Sequence, residues 1–296
     1  MLKRILVLIA LVCSYSINAQ TDSIIPIFEK DGVRVNQKDV DFNPYPNLDM
    51  STQDIDMSTQ ETTFRVDEII DNYFENTGGV ENWEKIEGMK LWITANAQGM
   101  EISIEQVILK NGKTSSTIKF QGREIKQGVF DGEVLWSTNF MTGKAEKSDE
   151  ETVNMVKNQL SEFPDPFLNY KEKGFTAELM DTETVDGAET FKIKLTTTPN
   201  IIEGKEVPNI TYYFFDKENF VPIQVHKEIM DGPGKGMTSE QKMSDYQEAG
   251  GVYMPYSMTE GVKDQPGQSL TIEKIEINPT VDDSEFAFPE EAPEEN

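Results

Sequence analysis

Residues 89–109 read MKLWITANAQGMEISIEQVIL. Met89, Leu91, Ile93, Ala95 and Ala97 alternate with polar or amphipathic residues, the period of two that places every second side chain on one face of a β-strand. Gln98-Gly99 turns the chain, and Met100, Ile102 and Ile104 alternate in their turn. Val107 and Leu109 then change parity, as a β-bulge would cause. Two such runs joined by a two-residue turn make an antiparallel pair.

The same pattern extends outward along the chain. Asn111-Gly112 is a strong hairpin signal, Ile118 and Phe120 continue the alternation, and Asp131-Gly132 separates Val129-Phe130 from Val134-Leu135-Trp136. Asp186-Gly187 joins 175–185 to 189–198, Asp216 to Asn219 joins 210–215 to 220–229, and Gly250-Gly251 joins 237–247 to 252–262. The last strand covers 269–277. This makes about eleven strands with short, hairpin-like links, hence an antiparallel sheet.

Two segments follow a helical period instead. Val66, Ile69, Ile70, Tyr73 and Phe74 form one apolar stripe, ended by Gly78-Gly79, with Trp83 and Ile86 in a short second turn. Further on, Ser148 can cap a helix with Glu151 three residues later, and Val153, Val156 and Leu160 line one side. Pro164 and Pro166 end it, and Phe167, Leu168 and Tyr170 follow in a turn. Helices that cover one face of a long, curved sheet give a mostly β (α+β) fold, an open antiparallel half-barrel of about eleven strands with a plugged concave side.

The ends of the chain have a different character. Lys3 and Arg4, the apolar run from Ile5 to Cys13, and the small Ala19 read as a signal peptide over 1–19. The run is too short for a membrane-spanning helix, which needs about 20 residues. Cys13 offers a lipoprotein reading, but Ala10-Leu11-Val12 puts no small residue immediately before it. Ala19-Gln20 resembles the cleavage sites of exported Bacteroidota proteins. Residues 20–62 hold scattered Pro and Asn and a tandem Asp-Met-Ser-Thr-Gln at Asp49 and Asp56, which suits a disordered acidic tether. The domain is expected over 63–289, and 290–296 is an acidic tail.

Composition excludes several functions. The net charge is −26, and removal of Lys3 and Arg4 makes it −28. Such a surface repels phosphate backbones and anionic lipid head groups, so no nucleic acid is expected as a partner, and no apolar segment suits an integral membrane protein. The single histidine, His226, and the absence of cysteine after residue 13 leave no ordinary zinc site. Asp39-Val40-Asp41 and Asp54-Ile55-Asp56 lack the glycine and terminal glutamate of a calcium loop. No nucleotide- or cofactor-binding pattern is present, so neither metal nor cofactor is expected. His226 falls mid-strand, where a half-exposed structural residue and a catalytic base are the two readings; the fold expected here is not that of an enzyme.

The remaining signal is apolar: 16 Phe, 13 Met and 3 Trp, with Tyr212-Tyr213-Phe214-Phe215 putting aromatics on both faces of one strand. Either both faces are covered by plain core, or a curved sheet encloses a cavity that accepts alkyl chains.

Four stretches resemble the periplasmic lipoprotein-carrier (LolA-like) family and its Bacteroidota relatives, the outer membrane lipoprotein-sorting proteins. They are Tyr73-Phe74-Glu75-Asn76-Thr77-Gly78-Gly79 with Trp83; Phe130-Asp131-Gly132-Glu133-Val134-Leu135-Trp136; Asp245-Tyr246 with Gly251-Val252-Tyr253-Met254-Pro255; and Val281 to Pro289. The resemblance implies an eleven-stranded half-barrel lidded by helices, whose concave face binds acyl chains of lipoproteins or other lipids on their way to the outer membrane. On that basis the lining is expected from Leu91, Ile93, Ile102, Ile104, Ile118, Phe120, Trp136 and Phe214, and the lid from Ile70, Phe74, Val153, Val156 and Leu160. The family's lid-holding arginine has no counterpart among Arg34, Arg65 and Arg123. The implied role is a periplasmic lipid or lipoprotein carrier or chaperone; the competing one is a binding or sensing module that uses the same fold to contact envelope proteins.

Overall fold

The computed structural model describes residues 64–97, 100–230 and 232–289. The signal peptide expected over 1–19, the tether expected over 20–62, the turn expected at Gln98-Gly99 and the acidic tail expected over 290–296 fall outside the described residues. Thirteen antiparallel strands form one sheet: β1 Gly88–Ala97, β2 Met100–Leu109, β3 Thr114–Phe120, β4 Arg123–Phe130, β5 Leu135–Thr138, β6 Ala145–Lys147, β7 Thr176–Val185, β8 Ala188–Ile202, β9 Lys205–Asp216, β10 Pro222–Glu228, β11 Thr238–Ala249, β12 Val252–Val262 and β13 Gln268–Ile277. Three helices accompany them: α1 Val66–Asn76, α2 Val80–Glu84 and α3 Glu150–Leu160.

The strand order is β6-β5-β4-β3-β2-β1-β13-β12-β11-β10-β9-β8-β7. The sheet therefore starts at the centre with β1, and the chain meanders out to the β6 edge. It then crosses to the opposite edge through α3 and residues 161–175, and meanders back until β13 pairs with β1. That crossover has to lie over one face.

Curvature follows from what α3 touches. Its Val156 packs with Phe130 of β4 and Leu135 of β5, while its Asn158 Nδ2 donates to the Pro199 carbonyl of β8 at 2.9 Å. β4 is third and β8 twelfth in the order. In a flat sheet nine strand spacings would separate them by ~43 Å, whereas the 11 residues of α3 span only ~16 Å. The sheet therefore curls around the helix. Register shifts in β1–β13, β3–β4, β7–β8, β8–β9 and β9–β10 supply local kinks and added twist.

Three sequence expectations change. Among the described residues the strands number thirteen rather than about eleven. Gln121-Gly122, both at positive φ (49° and 75°), makes a tight hairpin between β3 and β4 that lacks the usual Asn-Gly or Asp-Gly signature, and Ala145–Lys147 adds a short edge strand. The bulge expected in β2 is absent: β2 pairs without interruption with both β1 and β3. Val107 and Leu109 instead face the outer side, where Val129, Trp136 and Phe286 complete a separate apolar cluster. The nearby bulge is in β4, where Ser116 faces Gln127 but Thr114 faces Phe130. Asp149 rather than Ser148 caps α3, accepting from the Thr152 amide at 2.8 Å.

Each face thus has its own cover. Residues 281–288 lie on the outer one, where Trp136 Nε1 donates to the Phe286 carbonyl at 3.3 Å and Lys113 and Lys126 pair with Asp283 and Glu285. On the inner face, the C-terminus of α1 docks on the β11–β12 turn. The Tyr253 amide donates to the Thr77 carbonyl at 2.9 Å, and Trp83 Nε1 donates to the Thr77 hydroxyl at 3.1 Å. Gly78, at φ 109°, brings its backbone so close that a Cβ would collide with the Gly251 carbonyl oxygen.

This contact yields a stability test. Gly112 also has positive φ (86°), but nothing lies within 4 Å of its would-be Cβ. Gly112→Ala is expected to cost about 1 kcal/mol, and Gly78→Ala about 3 kcal/mol, because backbone strain and steric displacement add there. Urea unfolding of the two variants measures the difference; equal losses would contradict the docking role of Gly78.

Candidate functional site

The candidate site is the concave face and its cover. Ile93, Ile102, Ile104, Ile118 and Phe120 all join the main apolar cluster, each at most 5% exposed. Leu91 packs partly buried against it. From the cover come Ile69, Ile70, Tyr73 and Phe74 of α1, Trp83 of α2, and Phe167, Leu168 and Tyr170 of the crossover. The amphipathic stripe of α1 joins the same apolar cluster as the strand residues expected to line a cavity, with the Tyr73 ring 5.6 Å from that of Phe215 on β9, and these strand residues are buried among side chains.

Polar ties hold the cover. Tyr73 donates its hydroxyl to Asp165 Oδ2 at 2.8 Å, joining α1 to the crossover. Asp165 Oδ1 accepts from the Phe167 amide at 2.8 Å. Burial pushes the Asp165 carboxyl up, with the Tyr73 bond pulling the other way, and burial also holds the Tyr73 phenol well above its ordinary value. Asp67 accepts from Tyr170 at 2.8 Å and from Lys171 at 2.6 Å, and these bonds hold its carboxyl low. Lys173 Nζ reaches the carbonyls of Glu162, Phe163 and Asp165 at 3.5, 3.5 and 3.2 Å, which fixes the turn itself. Glu162, pushed up by burial, accepts from the Thr197 hydroxyl of β8 at 2.9 Å. Among the described residues no arginine takes part: Arg65 pairs with Glu68 at 3.0 Å at the start of α1, and Arg123 lies over Phe140.

Other expected residues stand elsewhere. Trp136 belongs to the outer cluster, because its register partner Val129 follows the β4 bulge and points outward. Phe214 is fully buried but alternates with Tyr213 and Phe215 of the main cluster, so it too faces outward, its ring 4.8 Å from that of His226. Val153, Val156 and Leu160 form a satellite cluster with Phe130 and Leu135 and do not reach the main one. His226, at 7% exposure, is buried rather than half-exposed. Its Nε2 sits 2.9 Å from Gln224 Nε2 and 3.0 Å from Glu240 Oε2, on the outer face.

Two open clefts adjoin the cover. One, of about 630 Å³, lies between the start of α3 and the β8–β9 turn and is acidic, with Asp149, Glu150, Glu151 and Glu203 among its walls. The other, of about 620 Å³, lies beside the end of α1, between the β9–β10 turn and β11. Neither is lined by any of the eight residues expected from the sequence. No helix among the described residues is long and apolar enough to cross a membrane.

One carboxyl intrudes on the concave side. Glu260 stands two residues beyond Met258 on β12, opposite Gln241 and Gln268, and burial pushes it up to about 8. The folded carboxyl thus keeps its proton to higher pH than the unfolded one, near 4.5. Its contribution is intact below the unfolded value and is lost as pH rises towards 8. Between pH about 5 and 8, Glu260→Gln is expected to lose roughly 2–4 kcal/mol less stability than the parent chain. Urea titrations at both pH values test this; parallel losses in the two proteins would contradict it.

No family model matches the sequence, and no curated protein matches it. Among solved structures, the chain is similar to a LolA superfamily protein from Nitrosomonas europaea and a DUF1329 family protein from Desulfovibrio piger. Each shows 12% identity and a TM-score of 0.46, over 76% of this chain and 98% of the other. A domain from Vibrio parahaemolyticus described as outer membrane lipoprotein-sorting shows 10% identity and a TM-score of 0.43, over 74% of this chain and 94% of the other.

Proposed function

We propose that the mature protein is an exported carrier that holds acyl chains of lipoproteins or other lipids against the concave face, with α1 and the crossover moving aside to admit them. The signal-peptide pattern at 1–19 supports a periplasmic site of action, with 20–62 as a tether. The observation that carries the reading is the nature of the cover. Continuous sheet forms the concave wall, whereas its apolar cover is the short helices α1 and α2 and a loop, α1 and the loop being joined to each other by Tyr73–Asp165 and Asp67–Tyr170–Lys171.

Magnitudes permit the exchange. The four buried side chains of α1, Ile69, Ile70, Tyr73 and Phe74, hold roughly 6–12 kcal/mol of burial between them at 1.5–3 kcal/mol each. An acyl chain of about fourteen methylenes gains roughly 11 kcal/mol on leaving water. With Phe167, Leu168 and Tyr170 of the crossover the displaced burial rises to roughly 10–21 kcal/mol, which the cargo offsets only at the low end, so binding is reversible rather than locked.

A second reading, a protein-binding module without lipid, draws on the filled concave face. Native mass spectrometry with lipid extraction separates the two, using mature protein purified from the envelope fraction without detergent. The carrier reading predicts a fatty acid, phospholipid or acylated-peptide adduct, and faster uptake of a fluorescent fatty acid by Tyr73→Phe, which frees α1 from Asp165. A clean unliganded mass that added lipid leaves unaltered would contradict it. Polar substitution of Ile93 or Ile104 is a poor probe, since both lie in the core and would unfold it.

A further inference from the structure

We propose that the cleft beside the end of α1 is a binding site for an organic ammonium group bearing a short apolar substituent. This site is separate from the concave face and requires no movement of α1. At about 620 Å³ the cleft has the size of a small-ligand site. Its titratable lining is two carboxylates and two phenols, Asp216, Glu218, Tyr246 and Tyr253, with no basic residue.

Asp216 is the telling member. It is 8% exposed, and its Oδ2 accepts from the backbone and side-chain nitrogens of Asn219 at 2.9 and 2.7 Å. Among the described residues, no lysine, arginine or histidine forms an ion pair with Asp216 or Glu218. Lys217, between them in sequence, is turned away: it pairs with Glu189 at 3.5 Å and lies over the Phe191 ring. A buried carboxylate that lines a cleft without a counter-ion favours a cation arriving from solution. The net charge of −26 concentrates cations around the molecule and disfavours phosphates and carboxylates.

The remaining walls narrow the class. Tyr253 is 43% exposed, and aromatic ring faces attract ammonium and, above all, quaternary ammonium groups. Val221, Ile223 and Met243 provide apolar walls for the substituent. A bare metal ion would leave these walls unused.

Isothermal titration calorimetry on the mature protein tests the proposal with three probes of equal chain length: hexyltrimethylammonium, hexanol and hexanoate. The cation is expected to bind at least about tenfold more tightly than hexanol, and hexanoate more weakly still. Asp216→Asn should weaken the cation by about tenfold and Glu218→Gln by about threefold, with hexanol unaffected. Glu218 is exposed, so its substitution leaves the fold intact even if Asp216→Asn disturbs the β9–β10 turn. Equal affinity for cation and alcohol, or cation affinity unchanged in Glu218→Gln, would overturn the proposal. Failure here would leave lipid binding at the concave face untouched, since the two use different residues.

Discussion

A single-layer sheet has two faces and no second layer to bury either one, and everything else in this molecule answers that constraint. The first and last strands of the sheet, β1 and β13, are adjacent at its centre, so its two halves meander to opposite edges and one connection has to pass between them. That connection, α3 with residues 161–175, crosses the concave side. Together with α1 it supplies the apolar surface the inner face needs. Curvature and cover are then one problem: the sheet curls because α3 touches β4 and β8 at once.

The two faces are closed in chemically different ways. Outside, residues 281–288 insert Phe286 among Val107, Val129 and Trp136, and lysine–carboxylate pairs flank it. That strap buries Phe286 completely and lies along the strands it covers. Inside, the cover is larger, more aromatic and fastened through buried oxygens, Asp165 above all. A carboxyl held up by burial and bonded to a phenol is a tie that costs desolvation to keep. Hydrophobic contact without such groups would be a firmer way to glue α1 in place. Tyr73–Asp165 and Asp67–Tyr170 hold the two parts of the cover to each other rather than to the strands beneath.

Much of this was legible in the sequence, and what was not has identifiable causes. Period two marked the strands, and Asp186-Gly187 and Gly250-Gly251 marked their hairpins. The stripe Ile69, Ile70, Tyr73, Phe74 gave α1 and its buried side together. Alternation says which side chains share a face, not which face is inside. Where the outer face is also covered, as at Val107, Trp136 and Phe214, apolar residues appear in both parities and the assignment fails. Gln121-Gly122 and Glu203-Gly204 make tight turns in which only the second residue advertises the conformation. The ties Tyr73–Asp165 and Asp67–Tyr170 join residues 92 and 103 positions apart, and no local pattern announces them. The cleft carboxylates were lost among 53 acidic residues, since only the fold shows which of them line a cleft.

Hydrogen exchange of the mature protein, followed residue by residue at increasing denaturant, tests most directly whether the inner cover is a separable element. A displaceable cover requires the amides of α1 and residues 161–175 to exchange through a local opening, at a free energy several kcal/mol below that of β1, β2 and β13, on the order expected for subglobal units. Exchange of α1 at the same free energy as the central strands would make it an inseparable part of the core and contradict a cover that opens for cargo.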